Sequence, residues 1–250
     1  MRPSRAAASL SFVAVIGILV GCTAGPTNSA DAGGDDAVSA VASGYYPVAE
    51  GNVWIYTMTY AEPIGIVTET ETMTSVKPDG AGGAEATIRR EFHYENGSTP
   101  DFSDEVTYLF HADGSIEVPF QSIPNADATE VITVNSGTML WPSDDEFAAG
   151  TVKTGEISVS VESGGQTFDE LVTFEVFGAG EESVTVPFGT VTARKLTQNL
   201  SVSIPSFDVT VPINATSWLQ ADVGLVRTEI PDLFGGATIT VELVSFTPAG

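Results

Sequence analysis

Side chains able to do chemistry are few in this 250-residue chain: one cysteine, Cys22, two histidines, His93 and His111, and 33 acidic residues. A zinc site needs three or four converging ligands. With two histidines and one thiol it would have to recruit carboxylates, so no metal site is assigned. His93 sits in Arg89-Arg90-Glu91-Phe92-His93-Tyr94, where charge alternates with bulk as on a solvated strand, and His111 stands just before Asp113-Gly114. The chain has no His-Glu-x-x-His pair, Gly-x-Ser-x-Gly elbow or glycine-rich phosphate loop. Acidic runs at Asp144-Asp145-Glu146 and Glu181-Glu182 offer weak calcium ligands that read more simply as solvated turns. The oxygens of Asn125-Ala126-Asp127 with Thr129-Glu130 alternate as in a calcium loop but lack its glycine and its terminal bidentate glutamate. A glycosidase needs two carboxylates across a cleft; among 33 acids some such pair is inevitable and discriminates nothing. No catalytic residue and no cofactor are assigned, and the chain is expected not to be an enzyme.

Cys22 is the reactive group with a defined context. Arg2 and Arg5 form a positive start, Ala6 to Val20 are fifteen mostly apolar residues, and small residues precede the cysteine, the layout of a secretory signal. A membrane-spanning helix needs roughly 20 apolar residues, so the run is short for one. Leu19-Val20-Gly21-Cys22 resembles the bacterial lipoprotein lipobox, which makes residues 1–21 the signal peptide and Cys22 the lipidated first residue of the mature chain. An ordinary cleaved signal peptide and an uncleaved signal anchor are the alternatives. Thr23 is not the aspartate that keeps many Gram-negative lipoproteins on the inner membrane. Stable anchoring takes more than one acyl chain, and a diacylglyceryl cysteine supplies two.

Cleavage removes two of the nine basic residues, leaving seven against 33 acidic ones and a formal charge of −26. Such a surface repels phosphate backbones and anionic headgroups, so nucleic-acid binding is not expected. With Cys22 modified no second thiol remains, and the fold relies on its core alone. Thr23 to Ser43, rich in Ala, Gly, Ser and Asp and without an aromatic residue, reads as a disordered acidic tether completing a 22–43 segment. Its 21 residues would span about 25 Å as a flexible chain.

From residue 44 to 250 the pattern is that of a single all-β domain. Ile157, Val159 and Val161 alternate with Ser158, Ser160 and Glu162; Val172, Phe174 and Val176 and then Ile239, Val241 and Leu243 repeat the period. Asp79-Gly80, Asn96-Gly97, Asp113-Gly114 and Gly164-Gly165 fall between such runs as turns. Pro119, Pro187, Pro205 and Pro212 are expected at strand ends or edges, since proline cannot donate to a ladder. No window sustains a helical period. About a dozen strands with short connections predict a curved antiparallel sheet forming a half-open barrel, with a two-layer β-sandwich as the alternative.

Three segments resemble a broad group of uncharacterised secreted β-rich lipoproteins. Tyr46 to Tyr56 (YPVAEGNVWIY) matches the group's Y-x-P-L-x-x-G-N-x-W-x-Y opening. Val184 to Val191 with Arg194-Lys195 is similar to V-x-V-P-A-G-T-F-x-A-x-K, with Phe188 where alanine is usual. Trp218 to Arg227 resembles W-x-A-x-G-V-G-L-V-K. The group looks akin to the LolA/LolB-like half-barrel lipoprotein carriers, which implies a curved sheet around an apolar cavity and an envelope location; no catalytic residue transfers. Trp54, Tyr56 and Trp218 are then the candidates for contact with a ligand, although core and turn duties also explain all three motifs. The expectation is an extracytoplasmic module, anchored to the cell membrane or outer membrane through Cys22, that holds an apolar, lipid-like ligand or an envelope partner. The alternatives are a structural envelope lipoprotein without a small-molecule ligand and, behind it, a hydrolase.

Overall fold

Alternating apolar and polar residues commit most of the chain to strands, and short connections make sequential strands antiparallel neighbours. The computed structural model describes residues 41–42, 45–61, 64–119, 131–163, 165–231 and 238–250. The leader, Cys22, the tether apart from Val41 and Ala42, and the Asn125 to Glu130 segment lie outside the described residues.

Strands β1 (Val41–Ala42) and β2 (Pro47–Val48) pair with each other. A first meander follows: β3 (Val53–Thr59), β4 (Ile66–Pro78), β5 (Ala84–Tyr94), β6 (Phe102–Phe110) and β7 (Ile116–Val118). Next come β8 (Val131–Ser136), β9 (Met139–Trp141) and a short helix, α1 (Asp144–Ala149). A second meander closes the chain: β10 (Lys153–Ser163), β11 (Gln166–Val186), β12 (Gly189–Ile204), β13 (Val209–Gln220), β14 (Gly224–Pro231) and β15 (Thr238–Thr247).

Thirteen strands form one antiparallel sheet in the order β8-β10-β11-β12-β13-β14-β15-β3-β4-β5-β6-β7-β9. The two meanders join at its centre, where β15 pairs with β3. Its edges are β8 and β9, yet only Gly137 and Thr138 separate them in the chain. Two linking residues span about 10 Å, so the sheet must curl until its edges meet. β9 accordingly lies alongside β10 and β11, with no ladder between them among the described residues. The result is an open, strongly curved sheet, the half-open barrel expected from the pattern, and not a two-layer sandwich. Gly137 makes the join possible: its φ is +87°, and a Cβ there would lie 2.1 Å from the Glu156 carbonyl oxygen.

The inward faces follow the sequence period. Ile157, Val159 and Val161, Val172 and Val176, and Ile239, Val241 and Leu243 are all buried, each contributing about 1.5–3 kcal/mol through transfer from water. The Asp113-Gly114 turn joins β6 to β7, with the Asp113 carboxylate accepting from the Ser115 amide. Pro187 lies in the β11–β12 turn and Pro205 in a 3-10 turn after β12. Pro212 falls inside β13, in the stretch paired with β12 and with no other described strand. The helix was not expected. Six residues are too few for a readable period, and α1 is held instead by a capping box between Ser143 and Glu146. It packs over the seam between the sheet edges by laying Phe147 on Gly178 of β11, where a Cβ would come within 2.7 Å of the ring.

Candidate functional site

The aromatic residues singled out by the motifs occupy two different places. Trp54 and Tyr56, alternate residues of β3, point into the barrel and are buried. Trp54 Nε1 donates to the Val223 carbonyl at 2.6 Å and Tyr56 Oη to the Leu225 carbonyl at 3.3 Å, so both polar tips are held by the backbone around β14. The Trp54 ring packs between Tyr46 and Phe246, with centroids 5.4 and 5.3 Å away. Trp218 lies apart from them on β13. Its Nε1 donates to Glu182 Oε1 at 2.6 Å, and Lys195 and Arg227, its partners in the adjacent strands, each stand 5.5 Å from its ring centre. Hydrogen bonds from Trp218 and then Lys195 hold the Glu182 carboxyl below its usual range.

The acidic runs serve ion pairing. Glu181 and Asp144 both reach Arg194, whose guanidinium stacks 3.5 Å from the Tyr45 ring centre, and Glu146 pairs with Lys153. His93 Nδ1 meets Asp101 at 3.0 Å on an exposed surface, and this hydrogen bond raises the His93 pKa. His111 Nε2 meets Glu117 at 3.1 Å, while Ser115 Oγ donates to Asp113. Among the described residues no three acidic, histidine or cysteine side chains converge as metal ligands.

The densest chemistry is a buried polar cluster that the sequence pattern did not single out. On β4, Glu69 and Glu71 share the inward phase of Val67 and Met73. On β5, Arg90 shares the inward phase of Ile88 and Phe92. Arg90 is fully buried; its Nε and Nη2 grip Asp104 of β6 at 3.0–3.1 Å, and its Nη1 stands 3.5 Å from Glu69 Oε1. Burial pulls the Arg90 pKa down to about 9 and pushes Asp104 up to about 7, while the two-pronged contact is the geometry that favours the ionised pair. Burial raises Glu71 to about 7, against a hydrogen bond from Tyr46 that lowers it, and raises Glu69 well above the carboxylate range, with the Glu71 charge adding to the shift. Neither Glu69 oxygen makes a hydrogen bond. Beside these acids is a cavity of about 20 Å³, lined also by Tyr46, Tyr56, Tyr108 and Trp141. A second cavity, of about 30 Å³, lies toward α1, and Trp141 borders both. The signal for this cluster was the phase: a charged residue in register with Ile, Val and Phe belongs to the apolar face. Reading Arg90 as part of a solvated strand missed that Arg89, Glu91 and His93 alone form the outward set.

No protein-family model matches the chain, and no curated protein sequence matches it. Solved structures do. A protein from Parabacteroides distasonis described as a lipoprotein superposes with a TM-score of 0.60 at 19% identity, covering 80% of this chain and 96% of its own. An exported protein from Bacteroides fragilis with a YmcC-like fold gives 0.56 at 15% identity, covering 82% of this chain and 99% of its own. The likeness is one of fold and extends along nearly the whole length of both proteins.

Proposed function

We propose that the chain is exported, lipidated at Cys22 and held at a membrane surface, where its half-open barrel is a non-enzymatic module that engages a protein partner of the envelope. Support for the location comes from the leader, the lipobox and a fold shared with a lipoprotein and an exported protein. Among the described residues no helix is long and apolar enough to cross a membrane. A non-enzymatic role accords with both histidines being paired to single carboxylates near turns.

One observation favours a partner over an apolar ligand. Trp54 and Tyr56, the residues on which ligand contact was expected, are engaged by backbone carbonyls, and the cavity beside Tyr56 measures about 20 Å³. Ligand pockets measure several hundred Å³, whereas this space admits about one water molecule. The surface offers an edge strand, β8, with Val134 exposed, and a strongly acidic exterior suited to a basic partner.

Photo-crosslinkers placed at Val134, Phe188 and Val244, all exposed, test this in living cells. One envelope protein captured reproducibly is the expected result. Failure to capture any neighbour, together with stoichiometric lipid other than the anchor in denaturing mass spectrometry, would overturn the partner reading in favour of a carrier.

A further inference from the structure

The interior holds more negative charge than the protein supplies positive charge to meet. Three carboxyl groups, Glu69, Glu71 and Asp104, stand against one guanidinium, Arg90. Arg90 directs its two-pronged contact to Asp104 and leaves only Nη1, at 3.5 Å, for Glu69. The groups facing the two glutamates from the packed elements are Tyr46, Tyr56 of β3 and Tyr108 of β6, with Leu225, Val241 and Trp141 completing the wall. None of these brings a second positive charge. Two carboxyl groups are therefore left over where water cannot screen them, and such groups must take up protons or bind cations.

The cavity between them can receive an occupant. It is about 20 Å³, enough for one water-sized particle. Glu69 is fully buried and lines it, and neither of its oxygens accepts a hydrogen bond, Oε1 being met only by Arg90 Nη1 at 3.5 Å. The other lining residues that carry oxygen are Glu71 and the three tyrosines, a hard donor set suited to hard cations. Calcium wants six to eight oxygens, and no three acidic or imidazole ligands converge here. A singly charged ion fits both the space and the ligand set. We propose that this cavity is a binding site for one alkali cation, held by the Glu69 and Glu71 carboxyl groups. Burial raises both carboxyls, Glu71 to about 7, so the ion would compete with their protons and gain as pH rises. Trp141, on the short edge strand β9, borders both this cavity and the outer one.

The test compares thermal unfolding of the purified mature protein in sodium, potassium and choline chloride at equal ionic strength, at about pH 8.5 and about pH 5.5. General screening of an acidic protein is the same in all three salts, and choline is too large for the cavity. At the higher pH a cation present at about ten times its Kd should raise the midpoint by about 3–5 °C over choline. At the lower pH the three salts should coincide. Glu71→Gln keeps the shape of the side chain and should abolish the difference at high pH. Equal midpoints in all three salts at high pH would overturn the site and leave protons as the sole counter-charge; a difference that survives in Glu71→Gln would place the ion elsewhere.

Discussion

Arg90 carries a full charge into the barrel, and its neighbours determine what its loss would do. Removing one partner of a buried pair leaves the other unmet, at a cost of about 3–5 kcal/mol. Arg90→Leu should therefore lower the free energy of unfolding in urea by about that amount, and Arg90→Leu with Asp104→Leu should recover a large part of it. The glutamates give a pH dependence of definite sign. Their folded-state pKa values lie above the unfolded value of 4.5, Glu71 at about 7 and Glu69 well above the carboxylate range, so the folded protein keeps protons that the unfolded chain releases. Their stabilising contribution is complete below 4.5 and declines as pH rises through about 7. Urea midpoints in choline chloride should fall across that range, and Glu71→Gln should flatten the fall. At this scale the sequence was partly legible. The alternation that puts Trp54, Tyr56 and Met58 on one face of β3 also places Glu69, Glu71 and Arg90 inside. The expectation that charge means solvent overrode the phase.

The elements were read well where the signal is local and poorly where it is not. Period-two strands and the Asp113-Gly114 hairpin follow from neighbouring residues. The pairing of β3 with β15 does not, because it depends on which of many equally apolar edges meet. Nor does the placing of β8 and β9, two residues apart in the chain, at opposite edges of the sheet. Gly137→Ala tests the link between them. Its positive φ and the 2.1 Å approach to the Glu156 carbonyl leave no room for a methyl group. The substitution should cost about 2–4 kcal/mol, seen as a lower urea midpoint and earlier amide exchange in β8 and β9. The helix α1 was missed because a six-residue element is specified by its cap; Ser143 and Glu146 were present in the sequence, but the Asp144-Asp145-Glu146 run drew attention to its charge instead.

At the scale of the whole molecule, an acidic curved sheet would be tethered by a segment beginning at Cys22, and each part of that arrangement explains another. A single cysteine allows no disulfide within the chain, so the fold rests on its apolar core. The charge of −26 expected after cleavage would oppose close approach to anionic headgroups, which a tether of about 25 Å would relieve. The shared fold was legible as a class, curved and antiparallel, and the likeness to solved structures supports it. The task was legible only as a location, because recognition by a surface leaves no catalytic spacing in the sequence. The most direct test is fractionation of cells producing the natural chain and Cys22→Ser. The natural chain should sediment with membranes and carry lipid on its N-terminal cysteine, while Cys22→Ser should appear in the soluble extracytoplasmic fraction with the same circular dichroism. A Cys22→Ser protein that still sediments with membranes would contradict anchoring through this residue.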